Sequence, residues 1–473
     1  MSVLIKNAIL LTMDLSNGPL IKNGSLLIEE DKIVNVSSDG LGKGLRAETV
    51  IDANGDLVLP GFINTHLHAE SSLGRGLAVD SKSLVEWTRE LPYPMRLHMD
   101  SEDAYFATLL SSVCAIKCGI TSIVFIYNGI PRGNGKNFDA AMKAVEESGL
   151  RAVVAKLYQS SEATATDFKG SETSAPFLES DDEIIEEYKR QLAKWHRRSS
   201  GLIEIWAGPS IMHSSTPELL AKVHDVATKW DSGMTTHVSV SKATADSYRK
   251  HYGKSEIEVA EDMGVLGPKF GAVHCIGVSE NDIDILSRTS TSVSHNPTSN
   301  MLIAQGIAPI PQMLAKGVNV ALGTDGPHCN NRIDMIEAMK DGALLHKVAG
   351  LDGSVFGDSS YSVLRMATEC GARFMGKEDV GKLKTGYKAD VIIVNRHTPQ
   401  FTPSIDPIAG LVYSSSGEDV RTAIVNGKLV MEDRKLLHLS ENAILSKAEQ
   451  RAKGLIGRMR KAGVRIPCPR YLW

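Results

Sequence analysis

The chain has 473 residues, 42% of them hydrophobic and 23% charged, the make-up of an ordinary globular protein long enough for a large barrel with an appended module. Its net charge of −4 carries no basic footprint, which disfavours a nucleic-acid partner, and no apolar run nears the roughly 20 residues that span a bilayer. The first residues lack the layout of a signal peptide, and Cys114, Cys118, Cys275, Cys329, Cys370 and Cys468 follow no zinc-finger or disulfide-scaffold spacing, so a cytoplasmic protein with reduced thiols is expected.

Residues 1–57 contain short β-like pieces (3–12, 25–29 and 32–37) with turn signals at Asn23–Gly24 and Asn54–Gly55. Eight candidate strands follow, at 58–65, 121–127, 151–157, 203–207, 234–238, 271–275, 291–294 and 319–323. Amphipathic helices are expected between them, among them 101–117, 139–147, 181–195, 217–230, 279–286 and 309–316. That alternation predicts an α/β protein, a distorted (β/α)8 TIM barrel. A doubly wound sheet fits it too, but no Gly-rich phosphate turn follows the first strand. Residues 380–436 return to β pieces, with Asn426–Gly427 as a hairpin turn. The expected domains are a small β-sandwich built from 1–57 and 380–436, the barrel over 58–379, and a helix and tail over 437–473 whose basic side reads as a solvated face.

In such a barrel, functional groups collect at the C-terminal ends of the strands. His66 and His68 end the first, in Leu59-Pro-Gly-Phe-Ile-Asn-Thr-His-Leu-His68, and alternation along a strand puts both on one face. His237 lies at the end of the fifth strand, His274 ends the sixth, His295 follows the seventh and Asp325 the eighth. A single strand-end His is most often structural, and Thr-Asp-Gly is a common turn; the joint pattern reverses that reading. Three imidazoles and a carboxylate suit one divalent ion, zinc first with iron or cobalt as alternatives, with a position left open for water. Zinc would bring hydroxide within reach of neutral pH. Asp325 would then ligate weakly or take the water's proton, and a neutral His274 would polarise the substrate or steady an oxyanion.

These stretches, with Gly119-Ile-Thr-Ser122, His295-Asn-Pro-Thr-Ser-Asn300, Gly306-Ile-Ala-Pro309, Gly323-Thr-Asp-Gly326 and Gly386-Tyr-Lys-Ala-Asp390, resemble the amidohydrolase superfamily over nearly the whole chain. The likeness is greatest to its branch of atrazine chlorohydrolase and S-adenosylhomocysteine deaminases. The resemblance implies a metal-dependent hydrolase with one ion per subunit on His66, His68, His237 and Asp325, and His274 and Asp325 as catalytic residues. It also implies a homo-oligomer, a dimer or larger. Binuclear relatives use a lysine after the fourth strand; 203–209 holds none, which favours a single ion.

Two departures bear on the substrate. Deaminases of this branch carry a Glu three residues after the fifth-strand His, where this chain has Val240, and often a His where it has Ser210. Either another group, with Ser239, Ser241, His213 and His328 as candidates, has taken over the proton shuttle, or the leaving group needs no strong acid. The second reading favours C–N or C–S cleavage in a urea-, carbamate- or amide-like molecule, an N-aryl urea (phenylurea hydrolase type) or a thiocarbamate (molinate hydrolase type). The alternative is deamination or dechlorination of an N-heteroaromatic ring of purine, pterin or triazine type. Expected substrate contacts are Trp87, Asn128, Ser210, Val240, His295 and His328. For Trp87, burial as helix core over 83–91 is an equal reading. Tyr158 with 159–177 reads as a lid or plain surface. His98, His196, His224, His251, His346, His397 and His438 read as ordinary side chains.

Overall fold

Eight parallel strands lie side by side in chain order in the computed structural model: Phe62–Leu67, Ile120–Tyr127, Arg151–Ser160, Ile203–Pro209, Met234–Val238, Phe270–His274, Ser292–His295 and Val320–Leu322. The structure describes residues 2–466 apart from 17, 41, 43, 82, 130–134 and 164–174. Helices cover the strands outside, so a strand such as Ile120–Tyr127 is buried along its whole length and needs a continuous apolar run. Helices Ser101–Lys117 and Asp181–Trp195 begin where capping boxes at Asp100 and Ser180 satisfy the first free N–H groups.

The barrel closes without a backbone ladder, because the eighth strand has only three residues. Side chains bridge the seam, beside a backbone bond from the Asp325 N–H to the His66 carbonyl (2.9 Å). Asn64 Nδ2 donates to Thr324 Oγ1 (2.7 Å), Asn64 Oδ1 accepts from the Thr324 N–H (3.0 Å), and Thr65 Oγ1 donates to the Leu322 carbonyl (2.9 Å). Inward residues Ile63, Val124, Val153, Trp206 and Ala321 pack with Phe374 of the helix Glu369–Phe374, which plugs one end of the barrel.

Both chain ends build a second sheet of nine strands. Ser2–Leu11, Leu20–Glu29, Lys32–Ser37, Thr49–Asp52 and Leu57–Pro60 join Val391–Val394, Val420–Val425, Lys428–Glu432 and Lys435–Leu436. Val3, Ile5, Leu10, Ile28, Val391 and Ile393 fill its core. Arg151 ties the sheet to the barrel through Asp390, Nε to Oδ2 at 2.7 Å, with both side chains buried.

Three expectations need correction. The first candidate strand is two: Leu57–Pro60 pairs in the end sheet, and Phe62–Leu67 opens the barrel. The break falls at Gly61, where a Cβ would meet Thr121 Oγ1 at 2.2 Å. Asn23–Gly24 forms no turn but lies inside Leu20–Glu29, beside a register shift opposite Ala8. The helix Glu441–Lys461 keeps Lys447, Lys453, Arg460 and Lys461 exposed as expected, but not Arg451 and Arg458. Arg451 reaches Asp100, Glu102 (2.8 Å) and Asp103 (2.7 Å), and Arg458 also reaches Asp103. Among the described residues no helix is long and apolar enough to cross a membrane.

Candidate active site

At the C-terminal mouth of the barrel four imidazoles and one carboxylate converge. His66 sits within the first strand and His68 one residue past it, at the head of the short turn Ala69–Gly74. His68 Nδ1–H donates to the Ile126 carbonyl (2.7 Å), His237 Nδ1–H to the Ser210 carbonyl, and His274 Nδ1–H to Asn300 Oδ1 (2.9 Å). Each bond fixes the tautomer and leaves Nε2 as a lone pair, the orienting contact that metal-binding imidazoles need.

Those lone pairs face Asp325. Its Oδ1 is 3.3 Å from His66 Nε2 and 3.6 Å from His68 Nε2, and its Oδ2 is 3.9 Å from His274 Nε2. The Gly326 N–H and Ser299 Oγ, each at 2.7 Å, hold the carboxylate from behind. Two donor sets sharing His66 result, His66–His68–Asp325 and His66–His237–His274, each with its ligand atoms within 4.8 Å of one another. Both ring nitrogens of His66 are buried with no hydrogen-bond partner among the described residues, a costly arrangement unless a cation occupies the gap. The donors therefore fit a divalent metal ion.

The electrostatics agree. Burial holds His237 down at about 3 and His274 at about 4, and pushes His68 well below its ordinary value, so these rings are neutral and able to ligate. Burial pushes the Asp325 carboxyl up, but the contact with His66 outweighs it and holds the carboxyl well below the usual range. The backbone is strained at the same points. Ser239 (φ 45°), His274 (φ 73°), Cys275 (φ 53°) and Asp325 (φ 61°) occupy the left-handed region at or just past strand ends, at roughly 1–3 kcal/mol each.

Trp87, Asn128, Ser210, Val240 and His328 line one cavity together with His68, His237, His274 and Asp325. Both readings of Trp87 meet in the structure: it is buried on the helix Leu84–Glu90, and it forms cavity wall against the His328 ring at 4.8 Å. Burial keeps His328 down at about 3. Ser210 contributes its carbonyl to His237, and the Asn128 N–H donates to Glu70 Oε1 (3.0 Å).

His295 does not reach the cavity. Side chains alternate along Ser292–His295, and Ser294 Oγ points inward to Thr65 Oγ1 (2.7 Å). His295 therefore points outward, where its Nε2 meets His346 Nε2 (3.1 Å) on the helix Met335–Gly350. Of the shuttle candidates, His213 and His328 line the cavity, whereas Ser239 bonds to Glu256 and Ser241 caps the helix Lys242–Tyr252. Tyr158 is buried, and most of the expected lid, residues 164–174, lies outside the described residues.

Sequence reasoning missed three groups. Arg96 lines the cavity over the Tyr93 ring (5.6 Å), with burial lowering its guanidinium to about 10. Burial pushes the Glu70 carboxyl up to about 8. Glu256 is fully buried behind His213. Glu70 stands two residues beyond His68 and was visible; Glu256, on a later helix, carried no motif.

The amidohydrolase family profile matches residues 57–430, most of the chain. The chain belongs to the amidohydrolase family. Among amidohydrolases, the 5'-deoxyadenosine deaminase of Methanosarcina acetivorans is 40% identical over 460 residues, covering 96% of this chain and 99% of that protein. The 5-methylthioadenosine/S-adenosylhomocysteine deaminase of Syntrophomonas wolfei is 35% identical over 462 residues, covering 97% of this chain and all of that one (100%). Solved structures of the same fold include an adenosine deaminase from Xanthomonas campestris with bound zinc (TM-score 0.84, 22% identity, 97% and 98% coverage). Another is the atrazine chlorohydrolase of Arthrobacter aurescens complexed with zinc (TM-score 0.85, 21% identity, 96% and 100% coverage). As an amidohydrolase, the protein is a hydrolase acting on carbon–nitrogen bonds.

Proposed function

We propose that this amidohydrolase deaminates an adenine-type nucleoside, exchanging the amino group on the ring for oxygen. The observation that carries this reading is the full-length likeness, at 35–40% identity, to deaminases of 5'-deoxyadenosine and of 5-methylthioadenosine/S-adenosylhomocysteine. These relatives favour the ring-deamination alternative over the reading drawn from Val240, because none of those named above acts on an N-aryl urea or a thiocarbamate by name. The cavity supports it chemically. Leu84, Val85, Trp87, Ile211, Val240 and Ile303 offer apolar wall to a flat ring in the cavity that His68, His237, His274 and Asp325 also line.

His66, His68, His237 and Asp325 would hold the divalent ion, zinc first with iron or cobalt as alternatives, and the ion would supply a Lewis acid that makes water a competent nucleophile near neutral pH. The chain's own groups do the rest. Asp325, kept anionic by its neighbours, takes a proton at the carboxylate. Neutral His274 presents a lone pair at Nε2, so it accepts before it donates; it can steady an oxyanion only after a proton has reached that nitrogen.

Ammonia release by metal-replete protein tests the reading, with 5'-deoxyadenosine, 5-methylthioadenosine, S-adenosylhomocysteine and an N-aryl urea as substrates. Ammonia from at least one nucleoside is expected. Cleavage of the urea to its aniline, with no ammonia from any nucleoside, would overturn it.

A further inference from the structure

One buried pair beside the cavity takes no part in the chemistry above. His213, in the turn Met212–Ser214 after the fourth strand, lines the same cavity as His237, His274, Asp325 and Val240. Its Nδ1 stands 3.3 Å from Glu256 Oε1, with side chains only 4% and 0% exposed. Among the described residues neither ring nitrogen has a hydrogen-bond partner, and Tyr248 packs edge-on against the ring at 4.7 Å. Glu256 begins the helix Glu256–Asp262, and its Oε2 accepts from both the N–H and the hydroxyl of Ser239, the latter at 2.5 Å. Ser239 holds φ 45°, the residue between Val238 at the strand end and Val240 in the cavity wall.

A buried carboxylate is tolerated only with donors and a counter-charge. Ser239 supplies donors to one oxygen, and the other stands 3.3 Å from His213 Nδ1. An amine is a poor leaving group and departs only when protonated. Among the other ionisable groups of the wall, His68, His237 and Asp325 are the proposed metal ligands, and a guanidinium gives up its proton reluctantly. His213 is the cavity imidazole with a carboxylate behind it, the arrangement that lets a ring carry and pass a proton.

We infer that His213 is the catalytic acid that protonates the departing amine, and that Glu256, fixed by Ser239, is its positioning residue. This rests on the deaminase reading above. The water oxygen bonds to the ring carbon, and the bond from that carbon to the amino nitrogen breaks with its electron pair staying on nitrogen. His213 Nε2–H passes its proton to that nitrogen, and ammonia leaves. The proton that Asp325 takes from the attacking water passes on to solvent, and His213 regains one from solvent.

The test compares leaving groups. Metal-replete wild type, His213→Gln, Glu256→Gln and the double variant His213→Gln/Val240→Glu are assayed on an adenine nucleoside and on its 6-chloropurine counterpart, whose chloride needs no proton. His213→Gln should lower kcat for ammonia release by about 10²-fold or more, move KM by less than about threefold, and lower chloride release by less than about fivefold. Glu256→Gln should give a smaller loss with the same preference for the amine substrate. A carboxyl at position 240 should restore at least about tenfold of the lost deamination. Chloride release and bound metal report on folding; where His213→Gln loses both, Glu256→Gln decides on the same criterion. Equal losses for both leaving groups, or no loss, would overturn the assignment while leaving the deaminase reading intact. Absence of ammonia release by the wild type from every nucleoside would remove that reading, and the assignment with it.

Discussion

Asp325 and His66 meet twice: the Asp325 N–H donates to the His66 carbonyl at 2.9 Å, and Asp325 Oδ1 lies 3.3 Å from His66 Nε2. The seam that closes the barrel is thus also the wall of the proposed metal centre. Closure and ligand geometry depend on the same few contacts.

Asn64 stitches that seam, so Asn64→Leu should destabilise the fold and loosen the centre together. The substitution removes bonds to the Thr324 N–H, Thr324 Oγ1 and the His66 N–H (3.3 Å) and strands buried polar groups. A loss of about 2–3 kcal/mol in urea unfolding is expected, with metal leaving faster on dialysis. Unchanged stability and retention would separate the seam from the centre.

Gly323 is where a side chain cannot be added. A Cβ there would stand 2.4 Å from Asn296 Oδ1 and 2.8 Å from His66 Cβ. Gly323→Ala should cost about 1–3 kcal/mol and, by displacing His66, lower bound metal below that of the wild type. Metal analysis and thermal unfolding of the one variant check both parts.

The C-terminal helix should prove necessary for stability through Asp103, which is fully buried and held by Arg451 and Arg458. Replacing both arginines by methionine leaves that carboxylate without a cation, at about 3–5 kcal/mol. Adding Asp103→Asn should recover part of the loss. If it recovers none, the pairing is incidental.

Acid sensitivity should trace in part to His346. Burial holds it down at about 4, against 6.5 for an exposed ring, so between those values the unfolded chain takes up a proton that the folded chain refuses. Its contribution is present above pH 6.5 and is lost as pH falls toward 4. His346→Gln should remove on the order of 2 kcal/mol of the stability difference between pH 7 and pH 4.5. Denaturant unfolding at the two pH values checks this, and a variant as acid-sensitive as wild type would contradict it.

Much of the fold and the centre was legible because strand-end histidines and Thr-Asp-Gly recur at the register a barrel imposes. His66, His68, His237, His274 and Asp325 all come together in the structure. What misled was direction and long-range pairing. His295 occupies a strand end like the others, but a strand of four residues offers no pattern by which to tell its inward face from its outward one. The carboxylate behind His213 could not be read either, because local spacing cannot see Glu256, sixteen residues after Val240 and on a helix, turn back onto Ser239. The break at Gly61 was hidden inside one continuous apolar run shared by two sheets.

The central claim is that His66, His68, His237 and Asp325 grip one ion on which the hydrolysis depends. Elemental analysis of purified wild type and His237→Ala, paired with turnover before and after chelation, tests it most directly. About one equivalent of zinc, iron or cobalt per chain is predicted in the wild type, with little in the variant and turnover lost on chelation and restored by the metal. Full turnover by a chelated, metal-free wild type, or an undiminished metal content and rate in His237→Ala, would contradict it.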